Sequence, residues 1–491
     1  VTDTPSVAVV GAGPGGIAMG VQLAEAGYDF TIFEGADGFG GTWRKNTYPG
    51  AACDVPSHFY SFSFAMNPRW STTYARQPEI LAYLERVAAE HRLDGRLRAN
   101  TTVTELHWSD RDRNWAVTTA GGSVHRFDIV VSAVGILDVP NIPVIAGADR
   151  FRGRAFHSSQ WDHSRSTTGE RVASIGTGAS AIQYVPAIAA DTAHLTVFQR
   201  TPIWVGPRVD EPYTAEQQDL FEREPAEALK VRNEAFAFYE MGDYDVDSGV
   251  TRYLTKESHR HLQSQIRDPE LRAKLLPDYP VGCKRPLQSM TWFPTLELPN
   301  VRLETSPIIE FTEHAVVTGD GAEHPVDTVV YGTGFRAADY LGSLEVFGSG
   351  GRRLRDDWHD GPEAFMGTVV PGYPNLFTLY GPNTNGTTSV MYILEAQAGF
   401  VRRILDESVR AQRRVIEVKL DRHRVYNAEI QQAMAKKVWM ANCNNYFRHS
   451  SGKLVTQFPY TGKTFAARIA EVGLEAFESN EVPSAMVQSR S

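Results

Sequence analysis

Two glycine-rich turns, each set between a short apolar strand and a helix, limit what this chain can fold into more than any other feature. Val7-Ala8-Val9-Val10 has the β-branched, apolar character of a strand buried on both faces. It runs into Gly11-Ala12-Gly13-Pro14-Gly15-Gly16, a G-x-G-x-x-G turn, and a helix follows with Ile17, Gly20, Val21 and Ala24 on one face. Phe30-Thr31-Ile32-Phe33 is the next strand, and it ends in Glu34. In such a unit Gly11 permits the tight turn, Gly13 lets backbone approach a pyrophosphate, and Gly16 lets helix and strand pack closely. The helix N-terminus offers free N–H groups to phosphate. Glu34 stands about 20 residues beyond the glycines, where a carboxylate accepts hydrogen bonds from a ribose diol. A carboxylate repels a 2′-phosphate, so this cradle suits FAD or NAD rather than NADP.

The second turn differs at the position that matters. Val172-Ala173-Ser174-Ile175 leads into Gly176-Thr177-Gly178-Ala179-Ser180-Ala181, a G-x-G-x-x-A turn. Pro186 predicts a kink or an early stop in the helix after it. The strand His194–Phe198 then ends in Gln199-Arg200-Thr201, with an arginine where the first unit has its acid. Arginine in that place accommodates a 2′-phosphate, which points to NADP. The fold class expected is therefore α/β, with two Rossmann-like dinucleotide-binding domains, one for FAD and one for NADP.

The 491 residues are enough for two or three domains. A net charge of -9, with no basic cluster, gives no footprint for nucleic acid, and no apolar run is long enough for a bilayer. The chain enters a strand at Val7, which leaves no room for a signal peptide. Cys53, Cys283 and Cys443 have no metal-ligand spacing and set out no disulfide framework, so a reducing, cytoplasmic setting is expected. No metal site is expected. His259 and His261, two apart on a helix, point to different faces.

Between and beyond the two turns the pattern changes. Gln77 to His91 reads as an amphipathic helix. Val103–His107, Trp115–Thr119 and Asp128–Ala133 read as a small antiparallel meander, with a polar turn at Asp110–Asn114. Thr214-Ala215-Glu216-Gln217 is a capping box, and Asp268-Pro269-Glu270 is another helix start. The stretch from Pro212 to Leu276 is helical in pattern, with Phe221, Phe236, Phe238 and Tyr239 in polar company. Asp327–Tyr331 is a closing strand, a long helix begins at Met391, and the residues after Glu478 form a polar tail.

The stretch from Phe151 to Asp162 reads F-x-G-x-x-x-H-x-x-x-W-D, through Phe151, Gly153, His157, Trp161 and Asp162, and lies between the two glycine turns. In letters and place it resembles the fingerprint of the type I Baeyer–Villiger monooxygenases, a branch of the flavin-containing monooxygenases. The resemblance extends over nearly the whole chain. Gly40-Gly41-Thr42-Trp43 and Tyr48-Pro49-Gly50-Ala51-Ala52-Cys53-Asp54 resemble that family's flavin-proximal loop, although many members have Arg where this chain has Ala52. Val281-Gly282-Cys283-Lys284-Arg285-Pro286 and Gly332-Thr333-Gly334-Phe335 fall in family order. Cys443-Asn444-Asn445-Tyr446 matches the family's Cys-x-Ser-Trp-Tyr only in part and is given no role.

The resemblance implies an enzyme with FAD and NADPH. FAD would be held by Gly11, Gly13, Gly16, Glu34, Gly41, Thr42, Trp43 and Asp54. NADP would be held by Gly176, Thr177, Gly178, Ala179, Ser180, Arg200, Thr201 and Lys284. It implies that reduced flavin takes up O2 as a C4a-peroxide, which attacks a ketone to give an ester or lactone. Arg285 would supply the fixed positive charge that an anionic peroxide needs, with Asp54 holding it, and His157 and Trp161 would couple domain position to catalysis. The implied layout is an FAD domain in segments 1–143 and 339–491, an NADP domain in segments 144–208 and 281–338, and a helical insertion at 209–280. The partners expected are a small-molecule ketone and O2, with neither nucleic acid nor membrane. An N- or S-oxygenating flavin monooxygenase is the alternative. A dithiol disulfide reductase lacks its C-x-x-C pair, and a nucleotide sensor would not need two different dinucleotides.

Overall fold

The computed structural model describes residues 4–443 and 445–479. The polar tail expected after Glu478 lies almost wholly outside the described residues. Two five-stranded, all-parallel sheets form the frame. The first runs in the order Leu376–Thr378, Ile129–Ser132, Val7–Val10, Phe30–Phe33, Leu97–Arg98. The second runs Val301–Glu304, His194–Phe198, Arg171–Ile175, Thr328–Tyr331, Arg154–His157. Their central strands are buried apart from Arg171 at the start of the second, as a sheet covered on both faces requires.

Each glycine turn sits at the carboxyl end of a central strand and opens a helix. The first helix, Pro14–Glu25, packs along the long helix Val390–Arg410, with Leu394 and Leu379 against Gly15. Gly16 is obligatory, since a Cβ there would lie 1.9 Å from the Gly11 carbonyl oxygen. Ala24, read as part of the buried face, is exposed near the helix end; Ile17, Gly20 and Val21 are buried. The second helix is short, Ala181–Ile188, and stops two residues after Pro186.

The meander needs correction. Val103–Ser109 and Asn114–Thr119 pair antiparallel, but their third strand is Val124–Phe127. Ile129–Ser132 instead lies beside Val7–Val10 in the first parallel sheet. The reason is in the side chains: Ile129–Ser132 is buried on both faces, whereas Val124–Phe127 is half exposed. A fourth strand, Glu345–Phe347, joins parallel to Val103–Ser109.

The insertion is four helices, Ala215–Arg223, Pro225–Glu240, Gly249–Gln265 and Pro269–Leu275. The first begins with the expected capping box between Thr214 and Gln217, and the last with Asp268 capping Glu270 N–H. The insertion docks on the first nucleotide unit through aromatic contacts. Phe236 and Tyr239 meet Phe59, and Tyr213 and Phe221 enclose His58. Among the described residues, no helix is long and apolar enough to cross a membrane.

Candidate active site between two nucleotide cradles

The two glycine turns open into one cleft of about 1360 Å³. Gly11, Gly13, Glu34, Gly41, Thr42 and Trp43 line one part of it. Gly176, Thr177, Gly178, Ala179, Ser180, Arg200, Thr201 and Lys284 line another, and Asp54 and Arg285 also border the cleft. Gly16 does not; its place is the helix–strand contact. Gly178 has nothing nearer to its missing Cβ than the Gly332 carbonyl oxygen at 4.0 Å, so bare backbone faces open space there.

The acid of the first cradle has a second task that its spacing does not reveal. Glu34 Oε2 accepts from Ala12 N–H at 2.8 Å and Oε1 from Ala36 N–H at 2.8 Å. The buried carboxylate thus fastens the glycine turn to its own loop and has lone pairs left over. In the second cradle Arg200 has no hydrogen-bonded or ion-paired partner among the described residues, and its side chain is exposed in the cleft. Lys284 stands close enough that its pKa is lowered, first by burial and then by the Arg200 charge. Its ammonium also lies 4.8 Å over the Tyr279 ring. The Asp278 carboxylate opposes the lowering of the Lys284 pKa, and the two cations face the cleft together.

Arg285 and Asp54 form a fork. Nε donates to Oδ2 at 3.0 Å, and Nη2 donates to Oδ1 at 2.8 Å and to Oδ2 at 2.7 Å. Nη1 has no carboxylate partner among the described residues, and the Tyr446 hydroxyl lies beside the guanidinium. The Asp54 carboxylate holds the guanidinium pKa well above its ordinary value. From the insertion, Tyr239 donates its hydroxyl to the Asp54 carbonyl at 3.3 Å.

The fingerprint residues lie outside the cleft. His157 is fully buried, its Nε2 paired with the Gly334 carbonyl at 2.9 Å and its Nδ1 with Ser159 Oγ at 2.8 Å; burial lowers its pKa. Trp161 packs on Phe156 and on Tyr184 of the second cradle's helix. Asp162 pairs with Arg154 at 3.2 Å and accepts from Ser164 N–H. Phe151 meets Phe311 edge-on, and a Cβ on Gly153 would lie 2.4 Å from the Asp327 carbonyl oxygen.

A Baeyer–Villiger monooxygenase of Pseudomonas aeruginosa is 40% identical over 489 residues, covering 98% of this chain and 93% of the relative. The chain belongs to the Baeyer–Villiger monooxygenases. Residues 8–217 also match the family described as pyridine nucleotide-disulphide oxidoreductase. The crystal structure of OTEMO with FAD and NADP superposes with a TM-score of 0.87 at 28% identity, covering 95% of this chain and 97% of the other. The closed structure of cyclohexanone monooxygenase superposes with a TM-score of 0.87 at 30% identity, covering 97% and 99%.

One expectation about this Baeyer–Villiger monooxygenase is overturned by the structure. Cys283 and Cys443, read as part of no disulfide framework, are joined by a disulfide between residues 160 positions apart, with Cα atoms 6.4 Å from each other. The argument from unpaired cysteines to a reducing setting loses its basis; only Cys53 is free, and it is buried. Asn445 strengthens the same junction by donating Nδ2 to the Cys283 carbonyl at 3.0 Å and the Trp439 carbonyl at 3.2 Å. This brings Asn445 and Tyr446 to the cleft wall near Arg285. Asn444 lies outside the described residues.

Sequence reasoning also passed over Tyr48 as a side chain and Gln183 altogether, though both line the cleft where the two units touch. Gln183 lies one helical turn past Ala179 and Ser180, and that position was the available signal.

Proposed function

We propose that the chain binds FAD in the first cradle and NADP in the second, and inserts one oxygen of O2 beside a ketone carbonyl. The balance is ketone, O2, NADPH and a proton giving ester or lactone, NADP+ and water. Bound FAD supplies the two-electron exchange with NADPH and the activation of O2. The observation that carries this reading is Arg285, held by Asp54 in the one cleft that both cradles share.

A guanidinium stays charged at any working pH, and a preorganised cation in a restricted site stabilises negative charge as it develops on oxygen. Asp54 sets the orientation of Arg285 and leaves Nη1 for the reacting oxygen. Arg200 and Lys284 take the 2′-phosphate of the coenzyme, and Gly176, Thr177, Gly178, Ala179, Ser180 and Thr201 surround its pyrophosphate and ribose. Gly11, Gly13, Glu34, Gly41, Thr42 and Trp43 do the corresponding work for FAD. His157, Trp161 and the rest of the Phe151–Asp162 stretch, all outside the cleft, couple the two units rather than touch substrate. The division into FAD segments 1–143 and 339–491, NADP segments 144–208 and 281–338, and an insertion at 209–280 goes with this assignment.

The test is incubation of the purified protein with NADPH, O2 and a panel of cyclic, linear and steroidal ketones plus one thioether. Mass spectrometry then identifies any product that has gained one oxygen. Ester or lactone supports the proposal. Sulfoxide without ester would replace it with an S-oxygenating reading.

A further inference from the structure

The loop that carries Asp54 is gripped from two sides, and the two grips belong to different nucleotide units. On its own unit, Cys53 N–H donates to the Ala75 carbonyl at 3.0 Å, and Gln77 N–H to the Ala51 carbonyl at 2.9 Å. On the other side stands Gln183, from the helix that opens at the second glycine turn. Its Oε1 accepts from the Tyr48 hydroxyl at 2.9 Å and from Ala52 N–H at 3.4 Å, and its Nε2 donates to the Ala52 carbonyl at 3.0 Å. One amide side chain therefore saturates the peptide groups of Ala52, two residues before Asp54. The apposition is tight: Gly50 has φ +80°, and a Cβ there would lie 2.7 Å from the Gln183 carbonyl oxygen.

The same helix side is tied to the fingerprint stretch. Tyr184, the next residue, packs against Tyr48 at 6.1 Å and against Trp161 at 5.5 Å between ring centroids. Its hydroxyl pairs with Ser174 Oγ at 2.8 Å on the central strand before Gly176. A displacement of the second unit thus reaches the Ala52 peptide through groups in direct contact.

We infer that Gln183, with Tyr48, is a positioning pair: it registers where the second nucleotide unit stands and sets the Asp54 carboxylate against Arg285 accordingly. This deepens the proposed function and rests on it for the link to product. Gln183 touches neither the reacting oxygen nor Arg285; it acts through the Ala52–Asp54 backbone. Both groups of the amide are needed, one as acceptor and one as donor, which Leu cannot supply and Glu supplies only as acceptor. A chain of contacts is not by itself a coupling, so the measurement has to be of non-additivity.

The experiment uses the FAD-loaded enzyme and four variants: Tyr48→Phe, which deletes one hydroxyl, Gln183→Leu, Gln183→Glu and the double Tyr48→Phe/Gln183→Leu. Two readouts are taken: hydrogen exchange at the Ala52 amide with and without NADP+, and ester formed per NADPH oxidised. In the wild type NADP+ should slow Ala52 exchange, and Gln183→Leu should abolish that response. Ester per NADPH should fall about three- to tenfold in Gln183→Leu, the worth of one or two neutral hydrogen bonds, with peroxide making up the difference. Tyr48→Phe should show a smaller fall, Gln183→Glu an intermediate one, and the double variant no more than Gln183→Leu alone. Additive losses, or an Ala52 amide that answers NADP+ equally in wild type and Gln183→Leu, would overturn the inference. If the wild type makes no ester, the proposed function fails while the exchange arm still decides the role of Gln183.

Discussion

Arg285 and Asp54 are 231 positions apart in the chain, yet two of the three guanidinium nitrogens of Arg285 are spent on that one carboxylate. A point charge would have sufficed to neutralise Asp54. The fork does more, because it fixes the plane of the guanidinium and so the direction of Nη1.

Replacing Arg285 with Ala should therefore leave FAD bound and NADPH consumed while ester formation falls about 100-fold or more, the usual cost of removing a preorganised electrostatic group. Arg285→Lys should recover little, since an ammonium cannot reproduce the planar fork. Product and peroxide measured side by side check this; normal ester yield from Arg285→Ala would remove the residue from the mechanism.

Arg200→Ala should weaken NADPH binding by about 1.5–3 kcal/mol, or roughly tenfold to a hundredfold, the worth of a charge-assisted hydrogen bond. Use of NADH should change little, because NADH lacks the phosphate. Titration of both coenzymes against the variant tests the assignment, and equal losses would refute it.

His58 predicts an acid limb in stability. It is 1% exposed, lies between Tyr213 and Phe221, and its ring nitrogens have no hydrogen-bond partner among the described residues; burial lowers its pKa to about 4. Between that value and its unfolded pKa of about 6.5 the unfolded chain binds the extra proton, so stability rises with pH across this window and is flat above it. In His58→Phe the His58 part of that slope should vanish. Urea midpoints at about pH 5, inside the window, and about pH 7.5, above it, compared between wild type and variant, measure it.

The Cys283–Cys443 bond should appear as a mass lower by two hydrogens in the unreduced protein, with Cys53 the sole thiol alkylated after denaturation. Cys443→Ser should cost about 2–4 kcal/mol of stability without reductant and little more than reductant alone costs the wild type. Equal stability of the two proteins in the absence of reductant would show that the bond does not form in solution.

The nucleotide units were legible because their chemistry is local. The Gly11 and Gly176 turns, Glu34 and Arg200 each sit within one strand–turn–helix–strand segment, and spacing along the chain is spacing in space. Thr214 and Asp268 could be read for the same reason. What escaped depends on distance in sequence. Ile129–Ser132 carries the pattern of a buried strand, but its neighbour Val7–Val10 is not named by anything near it. Cys283 and Cys443 have no spacing rule across such a gap, and Asn445 matters only because the bond places it. Gln183 is an ordinary polar residue on a helix until the Ala52 peptide is seen beside it.

The first parallel sheet is not assembled from a continuous piece of chain, because all five strands of the second lie between its fourth strand along the chain and its last. The sheet begun by Val7–Val10 takes its edge strand from Leu376–Thr378, and the sheet begun by Arg154–His157 needs Thr328–Tyr331 as its neighbour. During synthesis on the ribosome the first cradle therefore waits, with the flank of Ile129–Ser132 uncovered, until Leu376–Thr378 has emerged. Such long-range closure makes for slow folding and a nascent chain that needs chaperone cover. It also means that no single cut in the chain separates the two sheets.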